Sequence, residues 1–145
     1  MSERGLVVRF RGMVVAVAAV GLLLASAGTT DSRAARSSAR VSCQGTISWR
    51  VANSVVGRLA TIRGRVAGTR FASSSNGSPT FLNIGVDYPD PRRFTVVIWI
   101  ENRASFGRPE VRYRGHTICV RGVVESYRGV PEIEARSPSQ IRVLP

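Results

Sequence analysis

Apolar and polar residues alternate along much of the second half of the chain, and the alternation predicts β-strands. In the stretch RLATIRGRVAGTR, every second residue is apolar or small. One face would carry Ala60, Ile62, Gly64 and Val66, and the other would carry Thr61, Arg63 and Arg65. This is the pattern of a strand with one buried and one solvated face.

Four further strands are predicted, with turn signals between them. They are TFLNIG, FTVVIWI (Phe94 to Ile100), HTICVRGVVESY, and PEIEA with its extension. The third predicted strand would direct Phe94, Val96, Ile98 and Ile100 to the core. The loop FASSSNGSP has a turn signal at Asn76-Gly77, the connection VDYPDPRR is proline-rich, and ENRASFGRPEVRYRG has room for a short helical turn.

A short helix is predicted before the first strand, in ISWRVANSVVG, from Ile47 to Gly57. Ser48 is suited to cap its N-terminus, and Gly57 to end it. Between them, apolar residues recur at helical spacing at Trp49, Ala52, Val55 and Val56.

A short internal repeat links the first and fourth predicted strands. GRLATIRGRV and GHTICVRGVV align so that Arg63-Gly64 matches Arg121-Gly122. A glycine inside a strand indicates a bulge or a sharp coil. Two strands bent at the same point predict a small closed barrel.

Four segments resemble OB-fold domains of the tRNA-anticodon-binding and single-strand-binding type. They are VGRLATIRGRV, PTFLNIG, FTVVIW and ICVRGVVESYRGVPEIEARSPSQI. The resemblance covers about Ile47 to Leu144. It implies an all-β fold, a small five-stranded OB-fold Greek-key barrel with a short N-terminal helix. Such barrels bind oligonucleotides or oligosaccharides on the face of strands two and three and the adjoining loops.

The end of the chain is the part closest to that family. Tyr127-Arg128-Gly129 would form the tip between the fourth and fifth strands. Ile133 and Ala135 would return to the core, Ser137-Pro138 would end the ladder, and Ile141 and Val143 would close the barrel.

The N-terminus changes the picture, because it carries the features of an export signal. Arg4, Arg9 and Arg11 precede Met13 to Ala27, a run without charge that ends in the small residues Ala25-Ser26-Ala27. We therefore predict a secretory signal peptide at residues 1–27, a flexible linker at 28–45 and the OB-fold domain at 46–145. The protein would be secreted or displayed at the cell surface; an uncleaved membrane anchor is the alternative.

Charge directs attention to anionic partners. All 21 basic residues are arginine, and the net charge is +12. Such a balance favours nucleic acid, acidic polysaccharide or an anionic membrane surface. It is equally compatible with a soluble surface that is merely basic.

Arginines and aromatic residues in four segments are the candidates for binding single strands, since phosphates need cations and bases need aromatic faces. In the OB arrangement these segments converge on one side. The candidates are Arg70, Phe71, Tyr88, Arg92, Arg93, Trp99, Tyr127 and Arg128. For each of the four aromatic residues, structural packing is the alternative role. Phe81 and Asn83 would share the outer face of the second strand if Leu82 and Ile84 face inward.

Cysteine and histidine usage bounds the remaining chemistry. Cys43 and Cys119 are the only cysteines, and an even number in an oxidising compartment predicts one disulfide. Alternation places Cys119 on the outer face of its strand, within reach of the N-terminal segment. With His116 as the single histidine, the four ligands of a structural zinc site are lacking. We predict no metal, no cofactor and no catalytic residues.

Two functional classes follow from these features. The first is an exported OB-fold domain that binds single-stranded nucleic acid without catalysis. The second is an exported adaptor or oligosaccharide-binding OB domain. The partner would be single-stranded nucleic acid or another polyanion, with an exported protein as a further candidate, and a membrane only if the signal stays uncleaved.

The export hypothesis predicts cleavage near Ala27, because the apolar run is short and its exit is A-x-A. The intact mass of the secreted protein should match a chain that begins close to Gly28. A mature protein that still begins at Met1 would contradict it.

Overall fold

Strands dominate the part of the chain that the computed structural model describes, residues 40–145. The strands are β1 (Ile47–Ser48), β2 (Leu59–Phe71), β3 (Thr80–Ile84), β4 (Phe94–Ile98), β5 (Thr117–Val123), β6 (Glu125–Tyr127), β7 (Val130–Glu134) and β8 (Ile141–Val143). The helices are α1 (Ile100–Phe106), α2 (Pro109–Arg112) and two 3₁₀ helices, Trp49–Val55 and Pro138–Gln140. The predicted signal peptide and residues 28–39 of the predicted linker lie outside the described residues.

The strands form one sheet in the order β6-β7-β4-β3-β2-β5-β8, with β1 paired to β2. All pairs are antiparallel except β4 with β7 and β1 with β2. The sequence predicted five strands and a closed barrel, whereas the described residues form eight strands in an open ladder.

A break at Val124 accounts for one of the additional strands. The amide of Val124 donates to the carbonyl of Arg58, and its carbonyl accepts from the amide of Gly57. These bonds engage Val124 outside the ladders and divide the fourth predicted strand into β5 and β6. The short strands β1 and β8 account for the others.

Most of the side chains that alternation predicted to face inward are buried in the core. Ala60, Ile62 and Val66 of β2 are buried, as are Leu82 and Ile84 of β3 and Ile133 and Ala135 at the end of β7. Phe94, Val96 and Ile98 are fully buried, but the prediction for Ile100 is wrong, since it is 48% exposed. The chain leaves the sheet at Trp99, and Ile100 begins α1 instead of continuing β4.

The glycines of the internal repeat do not mark bulges. Pairing of β2 with β5 runs without a shift from Leu59–Val123 to Arg65–Thr117, through both Gly64 and Gly122. The register of β2 shifts later, against β3, between Val66 and Gly68.

Close packing explains why glycine occupies these two positions. A Cβ on Gly64 would overlap Ile84 and the ring of Trp49, and a Cβ on Gly122 would overlap Ile133. Both glycines therefore let another element approach the strand backbone more closely than a side chain would permit.

The predicted N-terminal helix is present as a 3₁₀ helix, Trp49–Val55. Ser48 caps it, since its hydroxyl accepts a hydrogen bond from the amide of Arg50 at 3.4 Å. Ala52 and Val55 are buried as expected, whereas Val56 is exposed at the C-cap position.

The C-terminal strand only partly fills its predicted role. Ile141 is buried and belongs to the core cluster, but Val143 is 38% exposed. Strand β8 pairs with β5 alone, so it extends the sheet beyond β5 rather than closing it onto β7.

A disulfide joins Cys43 to Cys119, with Cα atoms 5.9 Å apart. Cys119 lies on the outer face of β5, as alternation predicted, yet it is fully buried. The N-terminal segment covers it: Val41 is buried, and its amide donates to the carbonyl of Ser139 at 3.0 Å. The bridge thus fixes the segment before β1 against the outside of the sheet.

Reduction of this disulfide should lower the free energy of unfolding by about 4 kcal/mol, because it releases a long loop in the unfolded chain. The separation is 76 residues. Urea unfolding with and without reductant measures the change, and the double variant Cys43→Ser/Cys119→Ser is the control, since reductant should leave it unaffected. This expectation would be contradicted if reductant did not change the urea concentration at which the oxidised protein is half unfolded.

Candidate functional site

A groove of about 270 Å³ opens on the outer face of β3, β4 and β7. Residues from β2, from the loop after it, from the β3–β4 connection and from the β6–β7 hairpin complete its walls. The lining residues are Arg70, Ala72, Ser75, Phe81, Asn83, Tyr88, Arg93, Thr95, Tyr127, Val130 and Glu132.

The floor of the groove is polar because outward positions of three strands stand in register. Asn83 of β3 pairs with Thr95 of β4, which pairs with Glu132 of β7. The hydroxyl of Thr95 donates to the amide oxygen of Asn83 at 3.5 Å, and both residues are almost fully buried. The floor therefore presents fixed polar groups between aromatic walls.

The register shift in β2 brings Arg70 to the groove. Before the shift, even-numbered residues of β2 such as Ile62 and Val66 face the core. After Ala67, Gly68 pairs with Asn83 and Arg70 pairs with Phe81, so both face outward. Without the extra residue, Arg70 would face the apolar interior.

Asp87 positions the wall that carries Tyr88. Its carboxylate packs over Gly68. One carboxylate oxygen accepts from the side-chain amide of Asn83 and from the backbone amide of Tyr88, each at 2.8 Å. Tyr88 itself is 67% exposed, so its ring is available to a ligand.

Arg93 stands beside that ring. Its guanidinium carbon is 5.3 Å from the centroid of Tyr88. The same group donates to the carbonyl of Asp90 at 2.8 Å, which fixes the side chain at the end of the connection. Arg93 is half-buried and lines the groove, so a cation and an aromatic face are presented together.

Tyr127 forms a second wall at the tip of the β6–β7 hairpin. The turn consists of Arg128 and Gly129, both with positive φ, at 51° and 83°. Two residues of this kind make a tight hairpin turn. Tyr127 is 58% exposed, and the guanidinium of Arg128 lies 5.3 Å from its ring centroid.

Four of the eight residues predicted to bind nucleic acid line the groove, namely Arg70, Tyr88, Arg93 and Tyr127. The prediction did not settle whether Phe81 and Asn83 face outward. They do, because Leu82 and Ile84 are fully buried.

The other four predicted residues are not among those that line it. Phe71 has the opposite parity to Arg70, and the guanidinium of Arg103 from α1 covers its ring at 4.1 Å. Trp99 precedes α1, and its ring packs against Gly77 in the loop after β2. Both rings therefore pack against other parts of the chain, and neither lines the groove. Arg128 contacts the groove only through Tyr127.

Arg92 is engaged by its neighbour Asp90. Its guanidinium binds the carboxylate at 2.6 Å. Hydrogen bonds from the Arg92 side chain and backbone lower the pKa of Asp90 to about 2. The two charges cancel over the whole physiological range, so Arg92 offers less attraction to an anion than Arg93 does.

Glu132 was missed by the sequence analysis although its position was readable. Ile133 was assigned to the core, and alternation then places Glu132 on the outer face. Burial raises the pKa of this carboxyl, and the carboxylates of Glu125 and Glu134 raise it further, while Arg93 acts in the opposite direction. The groove thus has a carboxylate in its floor on the β7 side, with the Arg93 cation close enough to act on it, and a second cation, Arg70, on the β2 side.

Residues 40–145 contain no group of three or more His, Cys, Asp and Glu side chains placed to hold a metal ion. Among the described helices, none has the length and apolar character needed to cross a membrane.

No protein-family model and no curated protein matches the chain. Among solved structures, a Leishmania major protein named as an aspartyl-tRNA synthetase is 14% identical, with a TM-score of 0.46, over 71% of this chain and 21% of that one. The Stn1–Ten1 complex of S. pombe is 23% identical, with a TM-score of 0.44, over 60% and 58%. A Klebsiella pneumoniae protein named as a nucleic acid-binding lipoprotein is 14% identical, with a TM-score of 0.42, over 65% and 76%. The chain spans about a fifth of the Leishmania protein, and likenesses of this size are similarities of shape only.

Replacing Glu132 by Gln should stabilise the protein at neutral pH. The raised pKa means that the folded state disfavours the charged carboxylate, so the penalty is present above the folded-state pKa and vanishes as the pH falls below the ordinary glutamate pKa. Melting temperatures of wild type and E132Q should differ at pH 7 and converge in acid. Glu101→Gln is the control and should give no such gain, because Glu101 is exposed in the first turn of α1.

Proposed function

We propose that residues 46–145 form an OB-type domain that binds single-stranded nucleic acid in this groove, without catalysis. The observation that carries the proposal is the convergence of three aromatic rings and two guanidinium groups on one strand face. The rings belong to Phe81, Tyr88 and Tyr127, and the cations to Arg70 and Arg93.

Exposed aromatic faces suit bases that are not paired. Stacking of a base on an aromatic side chain contributes about 1–3 kcal/mol and tolerates any sequence. Tyr88 and Tyr127 are both more than half exposed and line the groove from two different connections of the sheet. A duplex hides the faces of its bases within the helical stack, so this arrangement favours single strands.

The two groove arginines supply the electrostatic part. Each phosphate contact to a single strand releases counterions, and the logarithm of affinity falls with the logarithm of salt by about 0.7 per contact. Arg70 and Arg93 together would give a slope of about −1.4. That is weaker than four predicted arginines would give, because Arg92 is paired with Asp90 and Arg128 lies outside the groove.

A second candidate function is binding of a neutral oligosaccharide in the same groove. The carboxylate of Glu132 in the floor favours it, since a carboxylate accepts hydrogen bonds from sugar hydroxyls and repels phosphate. Aromatic walls serve sugar rings as well as bases.

Export is part of the proposal. The disulfide between Cys43 and Cys119 supports it, because such bridges persist in oxidising compartments. We infer a secreted or surface location on this ground together with the signal-like sequence at residues 1–27.

Titration of labelled oligo-dT by fluorescence anisotropy tests the function. Tyr88→Ala or Tyr127→Ala should each weaken binding by about 1–3 kcal/mol and leave the salt slope nearly unchanged. Arg93→Gln should flatten the slope by about 0.7.

Arg112→Gln is the matched control for Arg93→Gln. Arg112 also lies over a tyrosine ring, 5.4 Å from the centroid of Tyr113, but it is outside the groove. It should change neither affinity nor slope. Equal binding of duplex DNA and heparin, with no effect of either tyrosine substitution, would instead indicate a merely basic surface. The second candidate would be favoured if the wild-type protein binds a neutral oligosaccharide but not oligo-dT, and if the tyrosine substitutions abolish the oligosaccharide binding.

A further inference from the structure

A second concave site lies away from the groove and shares no lining residue with it. It is a shallow pocket of about 490 Å³ on the outer side of β1 and the first half of β2. We call it the arginine pocket. Its lining residues are Thr46, Ser48, Trp49, Arg50, Arg63, Gly64, Arg65, Gly85 and Thr117.

The charge of this pocket is of one sign. Arg50, Arg63 and Arg65 line it, and no acidic residue does. Within residues 40–145 none of the three forms an ion pair, whereas Arg92, Arg103 and Arg136 elsewhere are paired with carboxylates. Three like charges around one concavity repel each other, and a bound anion would relieve that repulsion.

Two of the three guanidinium groups are held in place by the fold. Arg50 lies over Trp49, with its guanidinium carbon 4.8 Å from the ring centroid. Arg65 donates through Nε to the carbonyl of Gly115 at 3.0 Å, which leaves its terminal nitrogens for a ligand. Positioned cations lose less conformational freedom on binding than mobile ones do.

Trp49 is the framework of this arrangement rather than a stacking platform. Its ring packs so closely on Gly64 and Gly85 that a Cβ on either glycine would overlap it. Arg50 lies over the same ring. The aromatic side chain therefore serves to place a cation, and the ligand chemistry of the pocket is ionic.

Spacing on β2 favours an anion with more than one charged group. Arg63 and Arg65 are exposed on the same face of the strand, two residues apart, which is about 6.6 Å along the backbone. Ser48 pairs with Arg63, and Thr117 pairs with Arg65, so hydroxyl donors stand beside each cation. Guanidinium groups match the geometry of phosphate oxygens in a bidentate manner.

We propose that the arginine pocket binds a phosphate-bearing anion with two or more charges, such as an oligophosphate or consecutive phosphates of a nucleic-acid strand. Binding of tripolyphosphate here does not depend on the function proposed for the groove, whereas the nucleic-acid source of the phosphates rests on that function. Both kinds of ligand would be recognised through their phosphates by Arg50, Arg63 and Arg65.

Tryptophan fluorescence in a Trp99→Phe background can test the proposal, because Trp49 is then the sole tryptophan and lies in the pocket. Inorganic tripolyphosphate should change the emission with saturation. Arg63→Gln or Arg65→Gln should weaken binding about tenfold each, the loss expected for one charge-assisted hydrogen bond. Arg93→Gln and Arg112→Gln should leave it unchanged. Absence of saturable binding, or equal weakening by all four substitutions, would overturn the proposal.

Two oligo-dT lengths distinguish the sources of phosphate. An oligomer of about 4 nucleotides can fill only one site, whereas one of about 16 can extend beyond it. If the pocket serves a nucleic-acid strand, Arg63→Gln/Arg65→Gln should weaken the long oligomer and spare the short one. If it serves a free oligophosphate, the double variant should lose tripolyphosphate binding and keep both oligomers.

Discussion

The register shift at Ala67 decides which side chains of β2 face the interior and which face solvent. The first half of strand β2 pairs with β5, and its second half pairs with β3. Up to Val66, its even-numbered residues pack in the core, and Arg63 and Arg65 point outward to the arginine pocket. One unpaired residue then reverses the parity, so that Arg70 faces outward as well.

The alternative without the shift is energetically prohibitive. Arg70 would enter the apolar core without a partner, and burial of an unpaired charge costs far more than a single bulge. The shift also directs Gly68 outward, where the missing side chain leaves room for the Asp87 carboxylate. That carboxylate binds Asn83 and the backbone of Tyr88. The floor and one wall of the groove therefore follow from the same irregularity in β2.

Glycine performs a related task on the other side of β2. Gly64 and Gly85 admit the ring of Trp49, which in turn supports Arg50. The disulfide at Cys43 fixes the segment that leads into β1 and supplies Thr46 and Ser48 to the arginine pocket. The positions of these glycines can be read from the local sequence, but the side chains that pack against them cannot.

Period-two alternation predicted the longer strands and most of their inward faces. Ile62, Leu82, Phe94 and Ile133 all follow it, because burial of one face leaves a mark on every second residue. The sequence was less informative wherever backbone geometry interrupts the period. Nothing in IRGRVAGTR distinguishes a bulge at Ala67 from one at Gly64, because the choice depends on the pairing with β3.

The candidate site was half predictable for the same reason. Tyr88, Arg93 and Tyr127 lie in turns whose positions the sequence marks with proline, aspartate and glycine. The side-chain directions of Phe71 and Trp99 could not be read from alternation, because they depend on the bulge and on the start of α1. Both are tertiary properties that alternation does not encode.

Net charge alone also says little about where an anion would bind, because some arginines are neutralised by a neighbouring carboxylate and others are not. Arg92 and Arg93 are adjacent in sequence, yet Asp90 neutralises the first and only orients the second through its backbone carbonyl. Arg103 is likewise held by Glu110 at 2.9 Å, over the ring of Phe71. Arg50, Arg63 and Arg65 are among the arginines that form no ion pair within residues 40–145, and these three line one concavity. The positions of the few carboxylates, rather than the excess of arginine, therefore determine where the surface can bind an anion.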